Sequence, residues 1–194
     1  MLNVEDLFEG WSPFEAKTLD ELWEAIGTKL PKLVGEKNTL GEGTEVQQAA
    51  WVRGPAHFGK KCQIRHAAFV GANFFAEDEV VVGHACEVSN SYVGSKTHIA
   101  HMNFVGHSIV GRNCNMGADA HIANSKVHLD GAKRGALIGD NVFIGIGVLI
   151  HPGTIIGKNT WVYPGAILRG EYPPHSIVKV EQKGQTVVPR EKRP

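Results

Sequence analysis

Apolar positions return every six residues along most of this chain. Leu40, Val46, Val52, Phe58, Ile64, Val70, Ala76, Val82 and Val88 keep the step without a break. The pattern resumes through Val93, Ile99, Val105, then Val110, Met116, Ile122, then Val127, and again from Ile138 to Leu168. A small residue stands two places before most of these, as at Thr44, Ala50, Cys62, Cys86 and Ala120. In an extended segment those two side chains share one side. Glycine follows many of the aliphatics (Gly41, Gly59, Gly83, Gly117, Gly145), where it would supply tight corners, often of positive φ. A period this short is neither helical nor a simple alternation. It predicts an all-β solenoid, a left-handed parallel β-helix of about seven coils, each of three short strands and about eighteen residues.

Residues 1–39 stand outside the repeat. Thr18-Leu-Asp-Glu21 is a capping box, and Leu19, Leu22, Trp23 and Ile26 follow at helical spacing as far as Pro31. A shorter helix is expected from Asn3 to Phe8. Together these helices are expected to close the open end of the solenoid, whose first coil would expose unpaired strand edges; docking of a partner is the alternative. The β-helix is expected over 40–180, with Arg169-Gly-Glu-Tyr-Pro-Pro174 leaving it after Leu168 and a last strand near Ser176–Val180. Three steps are five residues long, Val88 to Val93, Val105 to Val110 and Ile122 to Val127, so one corner is tightened in three successive coils. Residues 128–135 read as an excursion loop and 181–194 as a basic, mobile tail.

If each aliphatic points inward, its predecessor points outward. One outward row runs from Trp51, Phe69, Glu87, Phe104 and His121 to Phe143 and Trp161. A second runs from His57, Phe75, Tyr92 and Ile109 through Lys126 to Leu149 and Ile167. The third runs from Glu45, Gln63, Val81, His98 and Asn115 to Leu137 and Ile155. Flat faces this apolar exceed what monomers usually expose and predict a homotrimer with sites between subunits.

Charge adds little direction. Lys and Arg number 20 against 20 Asp and Glu, so no global field favours nucleic acid or an anionic membrane. No apolar run approaches a membrane span, and the opening MLNVEDLFEG is acidic rather than signal-like, so a cytoplasmic location is expected. Cys62, Cys86 and Cys114 occupy small inward positions and read as reduced core residues, not a redox or metal set.

Candidate chemistry gathers between Gly94 and Asn124. Stacked coils lie about 4.8 Å apart, so residues one coil apart become neighbours. That puts His101 in the company of Asn115, His121 and Asn124, with Glu87 and His98 before them. An imidazole titrating near neutrality suits a general base, and amides recognise sugar hydroxyls or phosphate without titrating.

His101-Met-Asn-Phe-Val-Gly106, Ile109-Val-Gly-Arg-Asn-Cys-Asn115-Met-Gly-Ala118, Asp130-Gly-Ala-Lys133 and Ile138-Gly-Asp-Asn-Val-Phe-Ile-Gly145 resemble one family over about residues 80–170. It is the C-terminal domain of the bifunctional N-acetylglucosamine-1-phosphate uridylyltransferase/glucosamine-1-phosphate acetyltransferase, with its archaeal sugar-1-phosphate nucleotidylyltransferase relatives. The resemblance implies an acetyl-CoA-dependent N-acetyltransferase, a homotrimer, acting on an amino-sugar phosphate in nucleotide-sugar and cell-envelope biosynthesis. It implies that His101 is the catalytic base and that Glu87, Phe104, Asn115, Asn124 and Lys133 line the acceptor. It also puts the Ala118 N–H on the acetyl thioester, as a donor to the developing oxyanion, and Ile146, Pro164 and Lys179 at coenzyme A positions.

The departures concern charge and hydroxyls. The family's Tyr is Phe104, a Ser on the coenzyme side is Ile146, and two cations near the acceptor fall on Ser89 and Gly71. Each charge-assisted hydrogen bond to phosphate is worth about 1.5–3 kcal/mol, so Lys126, Lys133 or Arg134 is expected to replace one. No nucleotidylyltransferase domain with its Gly-rich loop is found in this chain, so uridylyl transfer by it alone is not expected. Two alternatives stand beside the enzyme. One is a non-catalytic β-helix that assembles or regulates a separate nucleotidylyltransferase, which the lost cations would suit. The other is a zinc enzyme of the γ-carbonic-anhydrase kind, although its H-x-x-x-x-H pair is missing: His98 and His101 are three apart, His101 and His107 six. No metal ligand set is expected.

Overall fold

The structure, a computed structural model, describes residues 2–125 and 133–181. Strands of two or three residues stack into three parallel sheets that form the faces of a prism. Face A has eight strands from Thr39–Leu40 to Glu171–Tyr172, and face B eight from Glu45–Val46 to Ile177–Val178. Face C has seven, from Trp51–Val52 to Ile167–Leu168. The chain visits A, B and C in turn, about seven times. No helix among the described residues is long and apolar enough to cross a membrane.

The six-residue period does what it predicts inside. Ile64, Val82, Ile99, Met116 and Ile144 stand one above another on face B and are fully buried. Burying each such side chain contributes roughly 1.5–3 kcal/mol. The three cysteines are free and buried, and burial pushes the Cys114 thiol up to about 12.

The glycines work differently from the sequence expectation. Positive φ falls two residues later, at Ala85, Lys96, Asn113, Asp119 and Asn141. The repeat glycines are needed because one coil presses on the next. A Cβ on Gly111 would stand 2.6 Å from the Gly139 carbonyl carbon, and one on Gly117 would stand 2.8 Å from the Ile146 nitrogen. Close approach, not backbone angle, selects glycine there.

Helix α1 (Leu19–Thr28) begins where the capping box requires, with the Thr18 hydroxyl accepting from the Glu21 N–H at 3.2 Å. A short α2 (Leu30–Val34) follows, opened by Pro31. Residues 3–8 make a turn rather than the expected helix, closed by Phe8 N–H to Val4 O at 3.0 Å. The segment does not close the open end of the solenoid. Val4, Leu7, Phe8, Leu22, Trp23 and Leu30 pack on the outward side chains of face A, Tyr92, Ile109, Leu137 and Ile155. The reason is apolar area. Face A offers a flat hydrophobic strip, while the first coil leaves Leu40 and Val46 exposed.

A polar cluster pins this cover. Asp140 accepts from the Glu9 N–H (3.1 Å), the Trp11 indole (2.7 Å) and the Arg112 N–H (2.8 Å). Arg112 forks onto both Glu77 oxygens at 2.8 Å and lies 3.8 Å over the Trp11 ring. Tyr92 Oη and Ser95 also donate to Glu77.

Two registers depart from expectation. Val127, the last of the five-residue steps, lies outside the described residues, as does Lys126. The face A rung after Ile109–Val110 is taken by Leu137–Ile138. Every row after Asn124 serves the face one step from the expected one. Phe143 and Trp161 therefore continue the His98–Asn115 row on face B, and Leu149 and Ile167 the Phe104–His121 row on face C. The coil also runs on past Leu168, because Glu171–Tyr172 pairs with Ile155–Ile156.

The cluster at Glu77 makes a pH prediction. Burial would raise its carboxyl, but hydrogen bonds from Arg112, Tyr92 and Ser95 outweigh that and hold it at about 2. A depressed carboxyl stabilises the fold above its unfolded value near 4.5 and loses that contribution as pH falls toward 2. Amides of residues 4–34 should lose hydrogen-exchange protection across that window, and Glu77→Gln should remove the pH step. An unchanged step in the variant would assign the acid sensitivity to other groups.

Candidate functional site

His101 occupies the corner where the chain turns from face B to face C. The same corner in neighbouring coils carries His66 and His84 before it, and Ala118, Ile146 and Pro164 after it. Backbone bonds lock the row: Met102 N–H to His84 O (2.9 Å), Asp119 N–H to His101 O (3.0 Å), Gly147 N–H to Ala118 O (2.9 Å) and Gly165 N–H to Ile146 O (2.9 Å). One coil later Val180 takes the row position, and Lys179 stands beside Tyr163 on the same edge, its Nζ 5.6 Å from the ring centre. The residue that the resemblance implies as base thus shares one edge with the residues implied for coenzyme A.

His101 is exposed, and its imidazole makes no hydrogen bond among the described residues. Its ring centre lies 6.4 Å from that of His84, which in turn lies 4.3 Å from that of His66. Partial burial, then the facing imidazoles of His66 and His101, hold His84 below its ordinary pKa. The Ala118 N–H donates to no carbonyl among the described residues, like its row neighbours His101 and Ile146.

Face C adjoins this edge. Phe104 pairs directly with Glu87 and His121, and a shallow groove of about 370 Å³ is lined by Phe104, His121, Ala123, Leu149, Ile150 and His151. Asn115 lies round the corner on face B, in a separate groove of about 620 Å³ with Lys96, His98, Asn141, Phe143 and Trp161. Asn124 and Lys133 lie at the far edge of face C. There the Asn124 amide meets His107 Nδ1 at 3.1 Å, and Arg134 and Gly135 donate to the Asn124 and His107 carbonyls at 3.1 and 2.8 Å. Six residues separate His101 from His107, a span of at most about 20 Å. One chain therefore unites His101 with Ala118, Ile146 and Pro164, flanks that edge with Glu87 and Phe104 on face C and Asn115 on face B, and places Asn124 and Lys133 at the other edge of face C.

The position of the first missing cation is sterically closed. A Cβ on Gly71 would stand 2.8 Å from Ser89 Cβ. Of the proposed replacements, Arg134 lies 5.5 Å from the Trp23 ring centre, against the N-terminal cover, and Lys126 is outside the described residues. Among the described residues no three His, Cys, Asp or Glu side chains converge as metal ligands.

Comparison with known proteins agrees with this architecture. Residues 52–133 match the GMPPB C-terminal domain, and residues 135–170 match the bacterial transferase hexapeptide, six repeats. The Bifunctional protein GlmU of Anaplasma marginale (strain Florida) is 28% identical over 185 residues, covering 89% of this chain and 41% of that protein. That of Methanococcus maripaludis (strain C5 / ATCC BAA-1333) is 32% identical over 124 residues, covering 57% of this chain and 30% of the relative. The chain is a hexapeptide-repeat, left-handed β-helix that is similar over most of its length to part of the GlmU proteins. It spans less than half the length of these GlmU relatives. Among solved structures, the acetyltransferase domain of PglB from Neisseria gonorrhoeae FA1090 aligns at 15% identity and a TM-score of 0.48, over 87% of this chain and 70% of that one.

Two features of the site lie outside the residues that the resemblance implies. His66 and His84 precede His101 by 35 and 17 residues, multiples of the coil length that place them in one row. His107 and Asn124 carry the same signal, standing 17 residues apart, one coil length. Burial, then the Lys133 ammonium, hold His107 below its ordinary pKa. As the neutral ring, Nδ1 accepts from the Asn124 amide in the orientation assigned. That contribution is present above the unfolded value of 6.5 and is lost as pH falls through the folded one. The Arg134 and Gly135 amides should exchange faster, relative to intrinsic rates, once pH drops below 6.5. His107→Asn should flatten this dependence; the same slope in the variant would contradict the assignment.

Proposed function

We propose that this β-helix is an acetyl-CoA-dependent N-acetyltransferase whose acceptor is a phosphorylated amino sugar, used in nucleotide-sugar metabolism. One observation carries the reading: His101, Ala118, Ile146 and Pro164 follow one another along a single edge. An acyl thioester laid along the later part of that edge would end beside the imidazole. His101 takes the proton from the acceptor amine as its nitrogen bonds to the thioester carbonyl carbon. The free Ala118 N–H faces the oxyanion that forms. Collapse breaks the carbon–sulfur bond, and the thiolate leaves and takes up a proton.

The distribution of polar residues supports a site shared between copies of the chain. With face A covered, large apolar side chains remain exposed on faces B and C and on the edge between them. Phe143, Trp161, Leu149, Ile167, Ile146 and Tyr163 are each 45% exposed or more. Single exposed apolar residues are ordinary; a contiguous group marks an interface. A trimer closed around these faces would bring Asn115 of one chain toward the Phe104 and His101 of another. The same patch favours one competing reading, in which a separate nucleotidylyltransferase covers it and the β-helix is not catalytic.

Two measurements decide between them. Sedimentation at micromolar concentration should show three chains; a stable monomer that binds only a nucleotidylyltransferase would support the competing reading. Mass spectrometry should detect acetyl transfer from acetyl-CoA to glucosamine-1-phosphate or a related amino sugar. His101→Ala should reduce that rate by about 10²–10⁴-fold while folding and assembling normally, since the side chain lies outside the core. Retained activity in the variant would remove His101 as the base.

A further inference from the structure

The edge that carries His101 changes character at that residue. Toward the later coils it presents Ala118, Ile146 and Pro164. Toward the earlier coils it presents His84, His66 and the adjacent Arg65. The imidazoles of His66 and His84 make no hydrogen bonds among the described residues, and Arg65 makes one weak contact, to Gln63 Oε1 at 3.3 Å. Donors that face solvent side by side without protein acceptors are available to an anion.

On the acyltransferase reading, on which this inference rests, the thioester lies on the Ala118 side. An acceptor whose amine reaches His101 then continues toward His84 and His66. The alternatives for its anionic group are poor. Gly71 is closed over by Ser89, and Lys133 stands at the opposite edge of face C with His107 and Asn124. Arg134 lies on the far side, 5.5 Å from the Trp23 ring centre.

We infer that Arg65, His66 and His84 form an anion subsite and that the acceptor is an amino sugar carrying a diphosphate. Two imidazoles one coil apart, about 4.8 Å along the axis, suit two linked phosphates, each within reach of one ring. The Arg65 guanidinium, which keeps its charge at any physiological pH, supplies a fork for the outer phosphate. A monophosphate would engage the ring of His84 and leave His66 and Arg65 without a role.

The test is calorimetry on the full chain with inorganic pyrophosphate, inorganic phosphate and coenzyme A as separate probes. Pyrophosphate should bind about tenfold or more tightly than phosphate, and the double substitution His66→Ala/His84→Ala should weaken it by about tenfold or more, as loss of charge-assisted hydrogen bonds does. Lys133→Ala should leave it unchanged, and coenzyme A should bind the double variant as it binds the native chain. If the double variant melts early, Arg65→Ala replaces it with the same expected loss. Pyrophosphate binding that survives these changes, falls with Lys133→Ala, or merely equals phosphate binding overturns the subsite. So does loss of coenzyme A binding in the double variant, since the row would then belong to the donor. Failure of coenzyme A to bind the native chain counts against the acyltransferase reading, while the pyrophosphate response still judges the subsite by itself.

Discussion

The structure depends on how closely one coil rests on the next. Backbone hydrogen bonds along the prism set a spacing of about 4.8 Å, and at several corner glycines that spacing leaves no room for a Cβ. Gly111 and Gly117 touch the following coil so closely that any side chain would force the coils apart. The same spacing turns sequence distance into geometry. Residues 17 or 18 apart become neighbours, which is why His66, His84, His101 and Ala118 make one line although nothing in their local sequence joins them. A solenoid edge is in this sense a ruler, and a ligand laid along it meets one residue per coil.

Much of this was legible in the chain. The six-residue period specified the solenoid and its core, and the Thr18–Glu21 capping box located the start of α1. What failed did so for physical reasons that a period cannot carry. Glycine at the corners suggests positive φ, yet crowding between coils is what selects it. Val127 satisfies the period as well as any other residue, but an insertion between Ile122 and Ala136 lets the chain rejoin at face A with Leu137. One miscounted rung then moved Phe143, Leu149, Trp161 and Ile167 to the wrong faces. Hydrophobic pattern fixes which residues are inside; hydrogen-bonded register decides which face they serve.

The N-terminal segment shows a related limit. Its apolar residues were plain, but their destination was not, because an open coil end and a flat apolar face both call for cover. Leu7, Phe8, Leu22 and Trp23 went to the larger area on face A. Buried polar groups at Asp140 and Glu77 then set where the segment sits. Covering one face of three leaves the apolar residues of the other two, and of the edge between them, as the surface around which the candidate site is organised.

Site residues were legible as a set and not as a place. His101 stands in line with Ala118, Ile146 and Pro164 and Asn115 flanks that line on face B, while Asn124 and Lys133 lie at the other edge of face C, so a complete site on this reading needs a second chain. The central claim is that donor and acceptor meet along the edge between faces B and C. A crystal structure of the chain with coenzyme A bound tests it most directly. The expected result places the pantetheine arm along Pro164, Ile146 and Ala118 with its sulfur beside His101. Coenzyme A bound on another face, or with its sulfur remote from His101, would contradict it.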